Sequence, residues 1–209
     1  MSRDFQYRED TARLHSADGD WLSELPLSDM IRFGWLIPVP RPSEEMQACL
    51  RFFGVPNVST WRQVYAELQE TVAFRKSPSL DSRPGSVAAW LREGEIESES
   101  VKCSPWHPRH FEDALSRIRS LTRQKDPKLF IPEMREICAH CGVVVAVIRA
   151  PAGCRASGAT RFVSESKALL MFSFRYLSDD QFWFTFFHEA GHLLLHGKTR
   201  FFLEGLAAC

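Results

Sequence analysis

Excess charge of either sign is the first thing this sequence lacks: 26 Lys and Arg stand against 26 Asp and Glu. A balanced chain sets up no global field to recruit nucleic acid, acidic substrates or an anionic membrane, so any such role would have to be local. Long hydrophobic runs are missing as well. No stretch offers the 18 or more uncharged apolar residues of a membrane span, and the N-terminus, MSRDFQYRED, lacks the apolar core of a secretory signal. The expectation is a soluble protein of the cytoplasm, without membrane partners. Cysteine is sparse: Cys49, Cys103, Cys138, Cys141, Cys154 and Cys209 are too dispersed for a disulfide scaffold and fit reduced thiols. No internal repeat of fixed period is present.

What the chain does have is apolar residues, 44% over 209 positions, enough for one generous domain or two small ones. Residues 1–24 are polar and weakly periodic, and read as an arm or the tail of an upstream segment. Residues 25–101 read as a helical region. LPLSDMIRFGWL (25–36) spaces Leu27, Met30, Ile31 and Trp35 at helical period. A second helix follows Ser43 and stops at Gly54 and Pro56. Ser59 or Thr60 caps a third, WRQVYAELQETVAF, and Ser86 a fourth, VAAWLREGEIE. Between the last two, RKSPSLDSRPGS (75–86) is a turn-rich linker. Trp35, Phe52, Phe53, Trp61 and Trp90 are read as core of this half.

After a break at KCSPWHP (102–108) the pattern changes. PRHFEDALSRIRSLT places Phe111, Leu115, Ile118 and Leu121 on one helical face, and IPEMREICAHCG is a helix ending at Gly142. VVVAVIRAP, ATRFVS and KALLMFSFRY then read as strands of a small sheet of about three, with a short SES turn between the last two. The fold class expected is α+β. Ser178-Asp-Asp-Gln181 has the form of a capping box, so a final helix starts at about Asp179, runs through FWFTFFHEAGHLLLH and stops at Gly197. Being apolar on nearly every side, it is expected to lie buried against the sheet.

That helix carries HEAGH. His188 and His192 are four residues apart, roughly 40° around the axis and about 6 Å along it, so both imidazoles can reach one ion. Glu189 projects near the same place, as suits a general base for water activation, and zinc is the natural ion for such ligands. The plainer alternative is a core helix that happens to hold histidines. It would leave three polar groups to satisfy at about 1–3 kcal/mol each, which a metal resolves. His196 continues the series but lies about 12 Å from His188 along the axis, too far for a shared ion, and so reads as a supporting or rim residue. For a third protein ligand the C-terminal candidates are Glu204 and Cys209; either Glu204 folds back, or the ligand was lost with a truncated end. Arg175 and Tyr176, just before the helix, are candidates for stabilising a tetrahedral intermediate, against the reading that they merely end a strand. Cys138-Ala-His-Cys141 reads as structural thiols, because it lies at the C-terminal end of its helix, where the dipole does not activate a thiolate. His107 and His110 read as surface residues.

The stretch SGATRFVSESKALLMFSFRYLSDDQFWFTFFHEAGHLLLHG (157–197) closely resembles the ImmA/IrrE family of zinc metallopeptidases. More narrowly, it resembles the branch in which an N-terminal helix-turn-helix regulator of the XRE type, often an antitoxin, is fused to the peptidase. The likeness extends through AFRKSPSL, AAWLREGE and HFEDALSRIRSLT, and so covers most of residues 25–204. It implies a zincin-like domain over 105–209, with Zn2+ on His188 and His192 and Glu189 as catalytic base. It also implies a repressor- or antitoxin-like protein substrate, and DNA contact only through a helix-turn-helix that this chain lacks. The family's usual acidic ligand after the motif is missing too, so the chain reads as the middle and peptidase portion of a longer protein. The competing functional class is a non-proteolytic, metal-binding interaction module of a transcriptional regulator.

Overall fold

The computed structural model describes residues 17–66, 68, 82–173, 179–196 and 202–204. These form two compact units. One holds the described residues up to Arg92 together with Pro151–Cys154; the other holds Glu93–Ala150 and the described residues from Arg155 onward.

The first unit is helical: α1 (Ala17–Glu24), α2 (Leu27–Arg32), α3 (Pro42–Phe53), α4 (Val58–Val64) and the first half of α5 (Pro84–Ser100). Part of the segment read as an arm is therefore a helix, and its Trp21 is fully buried. The reason is aromatic packing that a polar average conceals. Trp21 meets Trp61 edge-on at 5.5 Å and Phe53 at 6.1 Å, while Tyr65 closes the cluster 5.2 Å from Trp61. Phe52, Phe53, Trp61 and Trp90 are buried as expected, whereas Trp35 is only half-buried, its ring stacked on Phe52. Pro42 occupies the first turn of α3, and Gly54, at φ 67°, closes it in the left-handed conformation that glycine adopts without a Cβ clash.

Two caps differ from expectation. Asn57, not Ser59 or Thr60, caps α4, its Oδ1 accepting the Thr60 N–H at 2.8 Å. α5 begins at Pro84, so Ser86 lies inside its first turn and donates to the Ala152 carbonyl instead. That bond, Arg83 N–H to Gly153 O, and Ala152 N–H to the Asp29 carboxylate pin Pro151–Cys154 into this unit. Residues 75–81 of the linker lie outside the described residues.

The second unit is a mixed α+β body: the rest of α5, α6 (Pro108–Leu121), α7 (Pro127–Ala139), β1 (Val143–Val147), β2 (Gly158–Ser164), β3 (Lys167–Phe172), α8 (Asp179–His196) and β4 (Phe202–Glu204). The sheet order is β1-β3-β2-β4, with β1 parallel to β3 and the other two pairs antiparallel. One strand more is present than the sequence pattern indicated, because three residues of β4 carry no readable alternation. α7 starts four residues ahead of the expected Ile131, with Asp126 capping it, and Pro132 sits inside the helix.

Side chains of a strand alternate between faces, and here the alternation sorts the layers. Val143, Val145, Ala168, Leu170 and Phe172 pack into one core with Phe111 and Ile118 of α6, Phe130 and Met134 of α7, and Trp183, Phe186, Ala190 and Leu193 of α8. The opposite face meets α5. There Arg161 pairs with Glu95, the Lys167 ammonium donates to the carbonyls of Ser98 and Val101, and a Cβ on Gly94 would strike Met171. Gly142, at φ 83°, ends the α7 turn where a Cβ would fall 2.3 Å from the Trp106 backbone. Among the described residues no helix is long and apolar enough to cross a membrane.

Candidate metal centre

α8 starts at Asp179 as its acidic first turn indicated; Ser178 and Gly197 lie outside the described residues. The helix is not buried all round. A helix lying on a sheet covers only one stripe. Trp183, Phe186, Ala190 and Leu193 take that stripe, leaving Phe184, His188 and Leu195 exposed on the other side, Phe184 by 63% and Leu195 by 79%.

His188 and His192 meet on that open side. Their Nε2 atoms are 2.9 Å apart, the ring planes cross at 82°, and the Phe184 ring stacks on His188 at 6.0 Å. Two imidazole nitrogens on a tetrahedral zinc, with bonds near 2.0–2.1 Å, would stand about 3.3 Å apart. An opening of about 0.4 Å brings the pair to that spacing, well within side-chain rotation. The donor chemistry and convergence therefore fit zinc. Among the described residues no third His, Cys, Asp or Glu joins them in a metal-sized group.

Glu189 points elsewhere. It is fully buried on the sheet side of α8, where the Thr160 hydroxyl donates to its Oε2 and lies 3.2 Å from its backbone carbonyl. Gly158, two residues earlier on β2, supplies the room: a Cβ there would fall 2.9 Å from Glu189 Cγ and 3.0 Å from its Oε1. Gly158 and Thr160 thus form a niche for one carboxylate, on the face that Phe172 and Leu170 share in register. Neither residue stood out in the sequence. The available signal was a glycine and a threonine at alternate positions of one strand, which has meaning only once β2 is known to lie over α8.

Of the remaining candidates, His196 ends α8 and Glu204 ends β4, its backbone opposite Gly158; the side chains of both lie outside the described residues. Arg175 and Tyr176, like Cys209, lie outside them as well. Cys138 and Cys141 are buried. Burial, then the neighbouring Cys141 and Cys103 thiols, pushes the Cys138 thiol far up, and burial also raises Cys141, whose Sγ donates to the His110 carbonyl. Neither is poised as a thiolate. His107 and His110 are exposed, but His107 is more than surface: its Nδ1 accepts the His110 N–H and caps α6, with the two rings stacked at 3.9 Å.

Comparison of the chain with protein-family models, curated proteins and solved structures finds no match.

Proposed function

We propose that this chain is a zinc-dependent peptidase of the HExxH type, related to the ImmA/IrrE family and built on a zincin-like arrangement of helix and sheet. The observation that carries the reading is the convergence of the His188 and His192 Nε2 atoms on successive turns of α8, with Glu189 on the same turn. Zinc bound there would supply Lewis-acid activation of a peptide carbonyl and of water. His188 and His192 hold it. Glu189 takes the proton of the attacking water and returns it to the leaving amine, for which its carboxylate turns from the Thr160 hydroxyl toward the histidine pair. The substrate class is a regulatory protein of the repressor or antitoxin type, cleaved in the cytoplasm, and Glu204 stands as the candidate third ligand.

One observation favours a second reading. Glu189 is closed off from solvent with the Thr160 hydroxyl on its Oε2, an arrangement that suits a metal-binding interaction module as well as an enzyme at rest. Elemental analysis and a library of fluorogenic octapeptides separate the two. The peptidase reading requires zinc in the wild type, its loss in His188→Ala, and zinc retained without cleavage in Glu189→Gln. A wild type that holds zinc and cleaves nothing in the library supports the module; a wild type that holds no zinc removes both.

A further inference from the structure

The chain is balanced in charge overall, yet residues 117–128, RIRSLTRQKDPK, carry five cations against the single carboxylate of Asp126, which caps α7 by accepting the Lys128 N–H. The excess gathers at the C-terminal end of α6. Ser116, Arg119, Ser120 and Arg123 stand at i, i+3, i+4 and i+7, on one side of the helix and of the turn that continues it, while Phe111, Ala114, Ile118 and Leu121 take the buried side. All four polar residues are exposed. With Thr122 they line a surface cavity of about 500 Å³, within the range of small-ligand sites. Neither Arg119 nor Arg123 has an acidic partner among the described residues. Two like charges one turn apart repel, and an exposed helix face ordinarily interleaves acids with bases. The helix dipole favours cations in this last turn, but it asks for neither a concavity nor a lining of guanidinium and hydroxyl groups.

We propose that this corner of α6 binds a small ligand through two linked phosphoryl groups, one held by the guanidinium of Arg119 and the other by that of Arg123. Each planar fork matches one phosphoryl group with two parallel N–H donors. The two residues are four apart, so their side chains start about 6 Å from one another and can close on a pair of groups joined through one oxygen. The hydroxyls complete the donor set. Ser120 Oγ donates to the Arg117 carbonyl at 2.7 Å and Thr122 Oγ1 to the Arg119 carbonyl at 2.9 Å, bonds that a χ1 rotation exchanges for bonds to an anion. Among the described residues no aromatic or large aliphatic side chain belongs to the lining, so the site reads the phosphoryl groups and not the molecule that carries them. Free pyrophosphate and the diphosphate tail of a nucleotide share that chemistry. Metal binding and peptide cleavage play no part in it.

The test is isothermal titration of the full chain with pyrophosphate, and separately with ADP, at low ionic strength and without magnesium. One saturable site is expected, and Arg119→Gln and Arg123→Gln should each weaken it about tenfold or more, the scale of one lost charge-assisted pair. Arg109→Gln, at the other end of α6, should leave it unchanged. So should His188→Ala, which separates the corner from the histidine pair. Pyrophosphate binding alone assigns the site to the free anion, and ADP binding as tight or tighter assigns it to a nucleotide tail; both support the proposal. An absence of saturable heat up to about 5 mM of either probe overturns it, as does binding that survives in the double Arg119→Gln/Arg123→Gln variant. A DNA strand of about 20 nucleotides that binds where both probes fail would make the corner a contact for nucleic-acid backbone and overturn the small-ligand site. Should Arg119→Gln unfold, Arg119→Lys carries the test, since it keeps the charge and loses the fork: weaker binding supports the site and unchanged binding overturns it.

Discussion

Gly158 and Glu189 share one volume: the side chain that β2 omits at position 158 is the space that α8 fills with a carboxylate. A methyl group there would also fall 2.7 Å from Thr185 Cγ2, so neither neighbour can retreat alone. Gly158→Ala is expected to destabilise the protein by about 1–3 kcal/mol, the usual cost of overpacking a fitted interior. Combining it with Glu189→Ala should recover part of that loss, with Thr185 setting the remainder. Urea midpoints of the two single variants and the double variant check this, and strictly additive losses would contradict a shared volume.

The Thr160 hydroxyl donates to one oxygen of the buried Glu189 carboxylate. Thr160→Val keeps the shape and removes the donor, leaving an acceptor in an apolar layer at a cost of about 1–3 kcal/mol. Thr160→Ser keeps the donor and should lose much less. The informative quantity is the coupling with Glu189→Gln in a double-mutant cycle of folding stability, expected at about 1 kcal/mol or more. Zero coupling would mean that the contact contributes nothing.

How much of this was legible in the sequence depends on the range of the cause. The Asp179 start of α8, the Gly54 stop of α3 and strands β1, β2 and β3 follow from short-range chemistry: acidic first turns, a left-handed glycine and β-branched runs. The pairing of His188 with His192 was legible for the same reason, since helix geometry alone brings them together. Burial of Trp21 was not, because its partners Phe53 and Trp61 are 32 and 40 residues away. The niche around Glu189 was not either, because it exists only where β2 crosses α8. Even a local feature was missed when its residue type was unusual. Histidine is not among the common N-caps, yet His107 caps α6.

That cap gives a direct prediction. His107 Nδ1 accepts the His110 N–H at 3.3 Å, one of the donors that the first turn of α6 leaves without an intrahelical partner. His107→Ala should cost about 1 kcal/mol, while His107→Ser or His107→Asp should match or exceed the wild type, since both are stronger caps. Thermal melts at fixed pH rank the three. An alanine variant as stable as the wild type would show that the stacked rings, not the cap, hold this turn.

Alkaline stability offers a test inside the first unit. Cys49 is fully buried on α3, and burial, with a smaller contribution from the Glu45 carboxylate, pushes its thiol from 9.0 up to about 12. Between those values the unfolded chain has released the proton and the folded chain retains it. The folded state therefore binds more protons, and stability must fall as pH rises through that window. The contribution is fully present below pH 9 and is lost as pH approaches the folded value near 12. The slope expected from this one group is about 1 kcal/mol per pH unit. Cys49→Ala carries a small cavity cost at every pH but lacks this slope, so its deficit relative to wild type should shrink from pH 8.5 to 10.5, a span set by that window. Urea midpoints of both proteins under reducing conditions measure the difference, in which lysine and tyrosine titrations cancel. A deficit constant across the range would mean that the Cys49 thiol ionises as readily folded as unfolded.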